Sequence, residues 1–269
     1  MGSGYRTNSS SSKYPRPDSS GVQYKNNNQR IIKWSYIMAL PKLSLPLFNI
    51  TIPSTEEKTT FRPFTVKEEK ILLIAQESKE FEQIILALKQ VIGNCVTDIN
   101  IDNLAMFDVE YLLLNIRSKS VSNLLEFKIK DPTTSEEIEM AIEIEDIQLT
   151  HKDGHSKHIT IDENTTIIMR YPSIKEFALV GKSDGSPDTV FNAMMNCIDT
   201  LVHGDSVYKF SDYTPEEVLQ FADDLEAKTV KSMKEFFSTM PCLRFEKKYK
   251  TTDGTERTFA IEGTETFFI

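Results

Sequence analysis

Three histidines in the stretch HKDGHSKH have the residue type and the short spacing that a metal site needs: His151, His155 and His158. Neutral imidazoles bind zinc, but a structural zinc ion takes four ligands in a tetrahedral arrangement. The flanking residues alternate between apolar and polar, which predicts a β-hairpin that turns at the letters KDG. A two-residue turn places His151 on the same face as His158, whereas a three-residue loop, which we favour, places it opposite His155. Neither register joins all three imidazoles, so we expect a polar hairpin tip without a metal.

Nucleophilic catalysis finds little support in the sequence. The cysteines, Cys95, Cys197 and Cys242, lie far apart, and no His with a third partner is placed beside any of them by sequence. The chain contains no G-x-S-x-G elbow, no P-loop and no G-x-G-x-x-G motif. Asp108 and Glu110 are two residues apart on a predicted helix, so their carboxylates point in different directions and cannot act as an acid–base pair. The sequence therefore predicts a protein that is not an enzyme and needs no cofactor.

Composition and charge restrict the classes of function further. The 269 residues include 31 Lys and Arg against 40 Asp and Glu, a net charge of −9, and 39% of them are hydrophobic. This acidic balance argues against binding to nucleic acid or to anionic lipid, both of which need a basic surface. No apolar run reaches the roughly 18–20 residues of a membrane helix, and the N-terminus lacks the apolar centre of a signal peptide. The odd number of scattered cysteines favours a reducing compartment such as a cytoplasm.

The first 37 residues differ in character from the rest of the chain. Residues 1–30 are rich in Ser, Asn, Gly and Pro and include the runs SSSS and NNN, a composition that predicts disorder. Met38 opens a sequence with the form of a protein start. We therefore interpret residues 1–37 as a disordered extension upstream of a true start at Met38, and the alternative is a genuine flexible tail.

Residues 38–64 are predicted to form an extended β arm. The apolar alternation changes phase between Leu47 and Phe48, which suggests a bulge or a crossing point. Prolines within the arm exclude a central strand but allow an edge strand. Either the arm lies on its own domain, or it adds a strand to the sheet of a neighbour or fills a neighbour's groove. The apolar residues that would make such a contact are Leu43, Leu45, Leu47, Phe48, Ile50 and Ile52.

A helical region is predicted for residues 65–122. Thr65 and Glu68 form the T-x-x-E pattern of a capping box before the apolar run of TVKEEKILLIAQES. A second helix, KEFEQIILALKQVIGNC, has an apolar face at three-to-four spacing. A third, NLAMFDVEYLLLNIRSKSV, continues this spacing from Leu104 to Val121. The three helices are expected to pack together.

The period of the apolar residues changes from that of a helix to that of a strand near residue 123. Residues 123–172 alternate with period two and contain the turn signals DPTTSEE and KDG, which predicts an antiparallel meander in four parts. In EEIEMAIEIE the isoleucines share one face with Met140, and the glutamates line the other. This pattern is typical of a sheet with one solvated face.

Residues 173–269 are predicted to form a helical region that ends in a β-hairpin. SIKEFALV and DTVFNAMMNCIDTLV have helical patterns, and LVHGDSVYKF suggests a short hairpin or a loop with one strand. Thr214-Pro215-Glu216-Glu217 is a strong helix start, and this helix is predicted to run to about Ser238. Asp253-Gly254 marks the hairpin turn, and TETFFI is a candidate last strand. The fold class is α+β: a helical bundle packed with an antiparallel meander, an N-terminal arm and a C-terminal hairpin.

Two segments carry a resemblance to a known family. The first is FRPFTVKEEKILLIAQES, preceded by LPLFNITIPST and followed by FDVEYLLLNIRSKSV, and the second is YTPEEVLQFADDLEAKTVKSMKEFFSTMPCL. Together they resemble the baseplate hub protein family of T-even-type contractile-tailed bacteriophages. The likeness covers about residues 40–243. Members of that family begin near the position of Met38, which agrees with a start at this residue.

The resemblance implies a non-enzymatic structural component of the tail baseplate hub that acts through protein-protein contacts in baseplate assembly. It implies a virion protein of the contractile tail, assembled in the host bacterial cytoplasm. Its partners would be other hub and tail proteins or a second copy of the chain, and nucleic acid, membrane and small-molecule substrates would not be bound. The alternative is a baseplate or tail assembly chaperone that is absent from the mature virion.

Candidate interface residues lie in the segments that could meet such partners. Beyond the apolar residues of the arm, they include the corner of Phe61, Arg62 and Phe64, for which packing within the chain is an equal alternative. Arg117 stands near the end of the third predicted helix, where it would cap carbonyl groups or meet the acidic groups of a partner. The apolar chain end, represented by Phe267 and Phe268, predicts either a strand folded back on the domain or a contact buried in an interface.

Overall fold

The computed structural model describes residues 43–182 and 186–262. It separates two units, Met1–Leu43 and Ser44–Ile269, and every described helix and strand belongs to the second. The described residues contain seven α-helices and four antiparallel sheets, which confirms the α+β class. The predictions for residues 1–37, for a start at Met38 and for the terminal TETFFI strand concern residues outside the described ranges.

Helices and strands alternate along the chain in short groups. The helices are α1 (Val66–Ser78), α2 (Phe81–Cys95), α3 (Met106–Ser120), α4 (Ile174–Lys182), α5 (Pro187–Met195), α6 (Pro215–Asp223) and α7 (Ala227–Thr239). The strands are β1 (Phe48–Thr51), β2 (Lys58–Phe61), β3 (Leu124–Lys130), β4 (Glu137–Glu143), β5 (Gln148–Thr150), β6 (His158–Thr160), β7 (Thr165–Met169), β8 (Ile198–His203), β9 (Ser206–Lys209), β10 (Cys242–Lys250) and β11 (Glu256–Glu262).

The first hydrophobic core lies between the β1–β2 hairpin and helices α1 to α4. Helix α2 buries the face predicted from its spacing, with Leu88, Val91 and Ile92 among its buried residues. Helix α3 is buried on nearly every side, because it packs against the first core and also supplies Leu114 to the third. Its apolar residues are therefore not confined to one stripe. Val121, predicted to extend the buried face, is 57% exposed.

The second core lies between a four-stranded sheet and the C-terminal helices. The strand order is β6-β7-β8-β9, and buried residues of β7 and β8 meet Met195, Met233 and Phe236. The β8–β9 hairpin, predicted within LVHGDSVYKF, turns at Gly204, whose φ of +56° lies in the left-handed region that glycine adopts without strain. The second core therefore closes around elements from the C-terminal half of the chain.

The third core joins two small sheets to the end of α3. β3 pairs with β4, and β10 pairs with both β11 and β5. Ile142, Leu243 and Ile261 are buried there together with Leu114. The predicted C-terminal hairpin is confirmed, with Gly254 at a φ of +83° in its turn.

The predicted meander has antiparallel strands, but they divide among three sheets. β3 and β4 form a hairpin, β5 pairs with β10, and β6 pairs with β7. The hairpin predicted at KDG, with either register of its histidines, is wrong. The two predicted strands do not pair because their apolar residues are buried in different cores. Ile147 lies in the third core with Leu243, whereas Ile159 lies in the second core. The segment between them crosses from one core to the other.

The predicted helix DTVFNAMMNCIDTLV is too long, because its second half forms strand β8. Helix α5 ends at Met195, and the following residues alternate between buried and exposed positions, beginning with buried Ile198. β-branched residues at Ile198, Thr200 and Val202 favour a strand once a neighbouring strand, here β7, is available for pairing.

The predicted helix from Thr214 to Ser238 is interrupted. α6 ends at Asp223, and α7 begins at Ala227 with Glu226 as its N-cap. Two adjacent carboxylates, Asp223 and Asp224, lie at the negative C-terminal end of α6, where the helix dipole disfavours them, so the dipole does not explain the break. Leu225 turns inward and packs against the second core, which stabilises the break.

Candidate interaction surface

The arm divides near Leu47 into an exposed part and a buried part. Leu43, Leu45 and Leu47 are 88%, 36% and 64% exposed. Strand β1 begins at Phe48, so the change of phase between Leu47 and Phe48 marks the start of a strand and not a bulge. We call residues 43–47 the leucine segment. Its three exposed leucines are unusual for a soluble surface, where single exposed apolar residues are the rule.

The remaining apolar residues of the arm pack within the chain. Ile50, Ile52 and Phe61 are buried in the first core, and Phe48 and Phe64 pack against it. The Phe48 and Phe61 rings face each other across the hairpin with centroids 5.5 Å apart. These contacts account for all five side chains, so the arm offers a partner its leucines and its backbone.

The outer edge of β1 is open among the described residues. β1 pairs with β2 on one side, and no described strand runs along the other. The N–H of Ile52 donates to the carbonyl oxygen of Glu57, which fixes the alternation of inward and outward backbone groups. Asn49 and Thr51 therefore direct their N–H and C=O groups to the open edge. Such an edge is a template for an added strand.

Arg62 fixes the start of α1. Its Nη2 atom lies 3.1 Å from Oε1 of Glu68, and its Nη1 donates to the carbonyl oxygen of Pro63. The second oxygen of Glu68 accepts the N–H of Thr65 at 2.8 Å and also the Thr65 hydroxyl. Burial opposes ionisation of Glu68, but the hydrogen bonds from Thr65 and Arg62 outweigh it and lower the pKa of Glu68 to about 2. The ion-pair partner of Arg62 is thus a carboxylate of its own chain.

The same arrangement occurs again at the start of α4. FRPFTVKE and MRYPSIKE align without a gap, which makes Arg170 equivalent to Arg62 and Glu176 equivalent to Glu68. Arg170 Nη2 lies 2.7 Å from Glu176 Oε1, and the other oxygen of Glu176 accepts the N–H of Ser173 at 2.8 Å. The starts of α1 and α4 therefore have the same arrangement of contacts.

The equivalence extends to the segments beside each arginine. The N–H of Arg62 donates to the carbonyl oxygen of Cys95 at 2.9 Å, and that of Arg170 to Cys197 at 2.8 Å. The flanking residues pair in the same way, Phe61 with Val96 and Met169 with Ile198. We call residues 48–97 and 158–203 the two modules. Each contains two strands, an Arg–Glu pair, two helices and a returning segment that follows Asn-Cys.

The C-terminal end of α3 lies beside the base of the arm. The Oγ of Ser120 accepts the N–H of Phe64 at 2.8 Å, and Lys119 Nζ lies 5.8 Å from the centroid of the Phe48 ring. Arg117 is half-buried, and its Nε atom has no hydrogen-bond partner among the described residues. The last turn of α3, which carries the candidate residue Arg117, therefore contacts Phe48 and Phe64 of the arm. Phe267 and Phe268 lie outside the described ranges.

The three histidines do not gather into one group: the ring centroids of His151 and His155 are 6.3 Å apart, and His158 is an exposed residue of β6. His155 Nδ1 lies 3.0 Å from Thr239 Oγ1, its Nε2 lies 3.1 Å from the Tyr171 hydroxyl, and its ring stacks on Phe236. Burial, with repulsion from His151 and Lys157, lowers the pKa of His155 and favours the neutral ring. His155 is therefore a packing residue and not part of a polar tip. Among the described residues, no group of three His, Cys, Asp or Glu could hold a metal ion.

Asp108 is a structural carboxylate. It is fully buried, and its two oxygens accept the N–H of Ser54 at 2.9 Å and the N–H of Ala105 at 3.2 Å. Burial raises the pKa of Asp108, against the effect of these hydrogen bonds. The side chain joins the turn after β1 to the start of α3, which positions the arm on the first core.

Comparison with known proteins identifies the family. Residues 45–269 match the family model described as T4 bacteriophage base plate protein, which covers most of the chain. The chain belongs to this family. The resemblance inferred from the two sequence segments is thereby confirmed at the level of T4-type baseplate proteins. No curated protein and no solved structure matches the chain.

Sequence reasoning missed the paired modules of this T4-type baseplate protein. Two signals were present, Arg-x-x-Ser/Thr-x-Lys-Glu at Arg62 and Arg170, and Asn-Cys followed by a β-branched residue at Cys95 and Cys197. Each signal is short, and the interval between them differs in the two modules, so only the matching backbone hydrogen bonds make the equivalence plain. Within the described ranges, no helix has the length and apolar character needed to cross a membrane.

Proposed function

We propose that this T4-type baseplate protein is a non-enzymatic structural component of the baseplate hub. It acts through contacts with other hub and tail proteins, is assembled with them in the host cytoplasm and stays in the tail baseplate of the virion. The observation that supports this role best is the leucine segment, which is exposed and lies directly before the open edge of β1.

The contact proceeds by strand addition. A partner strand pairs with the outward N–H and C=O groups of Asn49 and Thr51, and its apolar side chains cover Leu45 and Leu47. At the nearby end of α3, half-buried Arg117 and exposed Lys119 supply positive charge for a carboxylate of the partner. Main-chain hydrogen bonds give affinity, and the leucines and the cations give register.

A non-enzymatic role agrees with how the chain uses its reactive groups. Arg62 and Arg170 each hold a glutamate within the chain, and the ring of His155 packs against those of Tyr171 and Phe236, which also contact each other. Burial raises the pKa of Cys95 to about 11 and that of Cys197 to about 12, which suppresses the nucleophilic thiolate. These groups stabilise the fold and are unsuited to turnover.

An assembly chaperone for the baseplate or tail is the second candidate, because an exposed apolar segment is also what a chaperone presents to an unassembled client. The two roles share the surface and differ in the fate of the protein once assembly is complete. A chaperone leaves before the particle is finished, whereas a hub component remains.

The arm is tested by replacing Leu43, Leu45 and Leu47 with serine in the phage. The variant is expected to fold like the wild type, since these side chains are exposed, and to fail to enter assembled baseplates isolated from infected cells. Leu219→Ser, at a helix residue that is 38% exposed, is the matched control and should be incorporated normally. Normal incorporation of the triple variant would reject the arm as the contact surface.

A further inference from the structure

The outer face of the α1–α2 helix pair is apolar where a solvated helix face is normally polar. Val66, Leu73 and Ile74 on α1 are 65%, 52% and 68% exposed, and Leu86 on α2 is 58% exposed. Leu73 and Leu86 are equally distant along the chain from the turn between the two helices, so the antiparallel pair brings them to the same level. We call these four residues the outer apolar face.

One position of this face has an apolar counterpart in the second module. Ile174, the equivalent of Val66, is completely buried in the first core. It is buried because α4 packs on α2, with the rings of Phe81 and Phe177 5.7 Å apart. The side of α4 that carries Ile174 therefore packs on α2 within the chain. In the first module this side of α1 has no helix against it among the described residues.

We propose that the outer apolar face binds the same face of a second copy of this chain about a twofold axis. The charges on α1 are self-complementary, because exposed Lys70 lies one turn before Leu73 and Ile74, and exposed Glu77 lies one turn after them. When two α1 helices pack antiparallel about the midpoint between Leu73 and Ile74, each Lys70 lies opposite Glu77 of the other copy. Neither residue forms an ion pair with the described residues of its own chain.

The pairing has the features of a stable isologous contact. The leucines and isoleucine occupy its centre, and the charges form its rim, the arrangement that protein interfaces commonly have. Each α1 packs on the α1–α2 pair of the other copy, as α4 packs on α2 within one chain. This inference concerns a surface separate from the leucine segment and does not depend on the proposed hub role.

Sedimentation equilibrium of the purified full chain, from about 1 μM to about 200 μM, tests the proposal. The wild type is expected to be a dimer that dissociates within this range. Lys70→Glu should raise the dissociation constant by about tenfold or more, because like charges then face each other twice, and Glu77→Lys should do the same. The double variant Lys70→Glu/Glu77→Lys should recover the wild-type constant to within about threefold, since the pairs re-form with exchanged signs.

Two controls make the result decisive. Leu219→Lys, on exposed α6, should leave the dimer unchanged, and circular dichroism melting of every variant should match the wild type because all the positions are exposed. A monomer at every concentration would overturn the proposal and leave the face to a different protein. A dimer that resists the single charge reversals, or that the double variant does not restore, would overturn it as well.

Discussion

The Nη2 atom of Arg62 lies 3.1 Å from Oε1 of Glu68, a carboxylate with only 4% of its side chain exposed. The contact joins the end of β2 to the first turn of α1, so one ion pair fixes the strand and the helix of the first module relative to each other. Arg170 and Glu176 make the equivalent contact between β7 and α4. Removal of one partner leaves a desolvated charge without compensation, which is the costly way to break a buried ion pair.

Glu68→Gln is predicted to lower the free energy of unfolding by about 2–3 kcal/mol, because the variant loses charge-assisted hydrogen bonds from Arg62 and Thr65. Urea denaturation at neutral pH measures the change. Glu235→Gln is the control, since Glu235 lies 3.9 Å from Lys231 on an exposed helix surface and should contribute less than about 0.5 kcal/mol. A loss for Glu68→Gln no larger than that of the control would contradict the structural role of the pair.

The stabilisation from Glu68 is predicted to disappear in acid. The pKa of Glu68 falls from the usual 4.5 to about 2 in the folded chain, so the unfolded chain binds the proton first as the pH is lowered. Its contribution is therefore complete above about pH 5 and decreases as the pH falls from 4.5 towards 2. The difference in unfolding free energy between the wild type and Glu68→Gln, measured at several pH values, should shrink over this window. A difference that stays constant or grows in acid would show that the carboxylate is not held in its ionised form.

The three thiols are predicted to differ in reactivity. Cys95 and Cys197 are 2% and 1% exposed, and burial raises their pKa values to about 11 and about 12. Cys242 is half-buried, and burial with its contact to Glu262 raises its pKa too. Titration with a chromogenic disulfide at pH 8 should modify Cys242 slowly in the native chain and all three thiols after denaturation. The native Cys242→Ser variant should then not react with the reagent. Rapid labelling of that variant would contradict the prediction, because Cys95 or Cys197 would have to become exposed by opening of a module.

Local chemistry in the sequence predicted many element boundaries well. Both predicted capping patterns are confirmed. The N–H of Thr214 donates to the carboxylate of Glu217 at 2.8 Å, and the N–H of Thr65 donates to that of Glu68 at 2.8 Å. The turn at Gly254 is confirmed in the same way. Each of these features depends on contacts between residues a few positions apart, which a single sequence displays directly.

The pairing of strands that are distant along the chain could not be predicted from the sequence. The alternation around Leu149 shows that one face of β5 is buried, but not which strand it pairs with, and its partner is Leu243 in β10. Period-two patterns fix the buried face and leave the partner open, since many strands satisfy the same rule. The break between α6 and α7 was missed for a related reason, because Leu225 is drawn inward by a core assembled from distant elements.

The candidate surface was predictable in part. The alternating arm indicated extended structure, and its prolines indicated an edge position, but nothing in the pattern separated the buried Ile50 and Ile52 from the exposed Leu45 and Leu47. That division depends on β2, which covers one stretch of the arm and not the other. The outer apolar face could not be predicted for the same reason, since the sequence does not show which side of a helix the rest of the chain leaves uncovered.

The central claim, that this protein is a retained part of the baseplate hub, is tested most directly by quantitative mass spectrometry of purified virions and of baseplates isolated from them. The account predicts the chain in both, at a constant ratio to the other baseplate proteins that survives further purification. Its absence from purified particles, together with its presence in unassembled complexes from infected cells, would contradict the claim and assign the protein to the assembly chaperones.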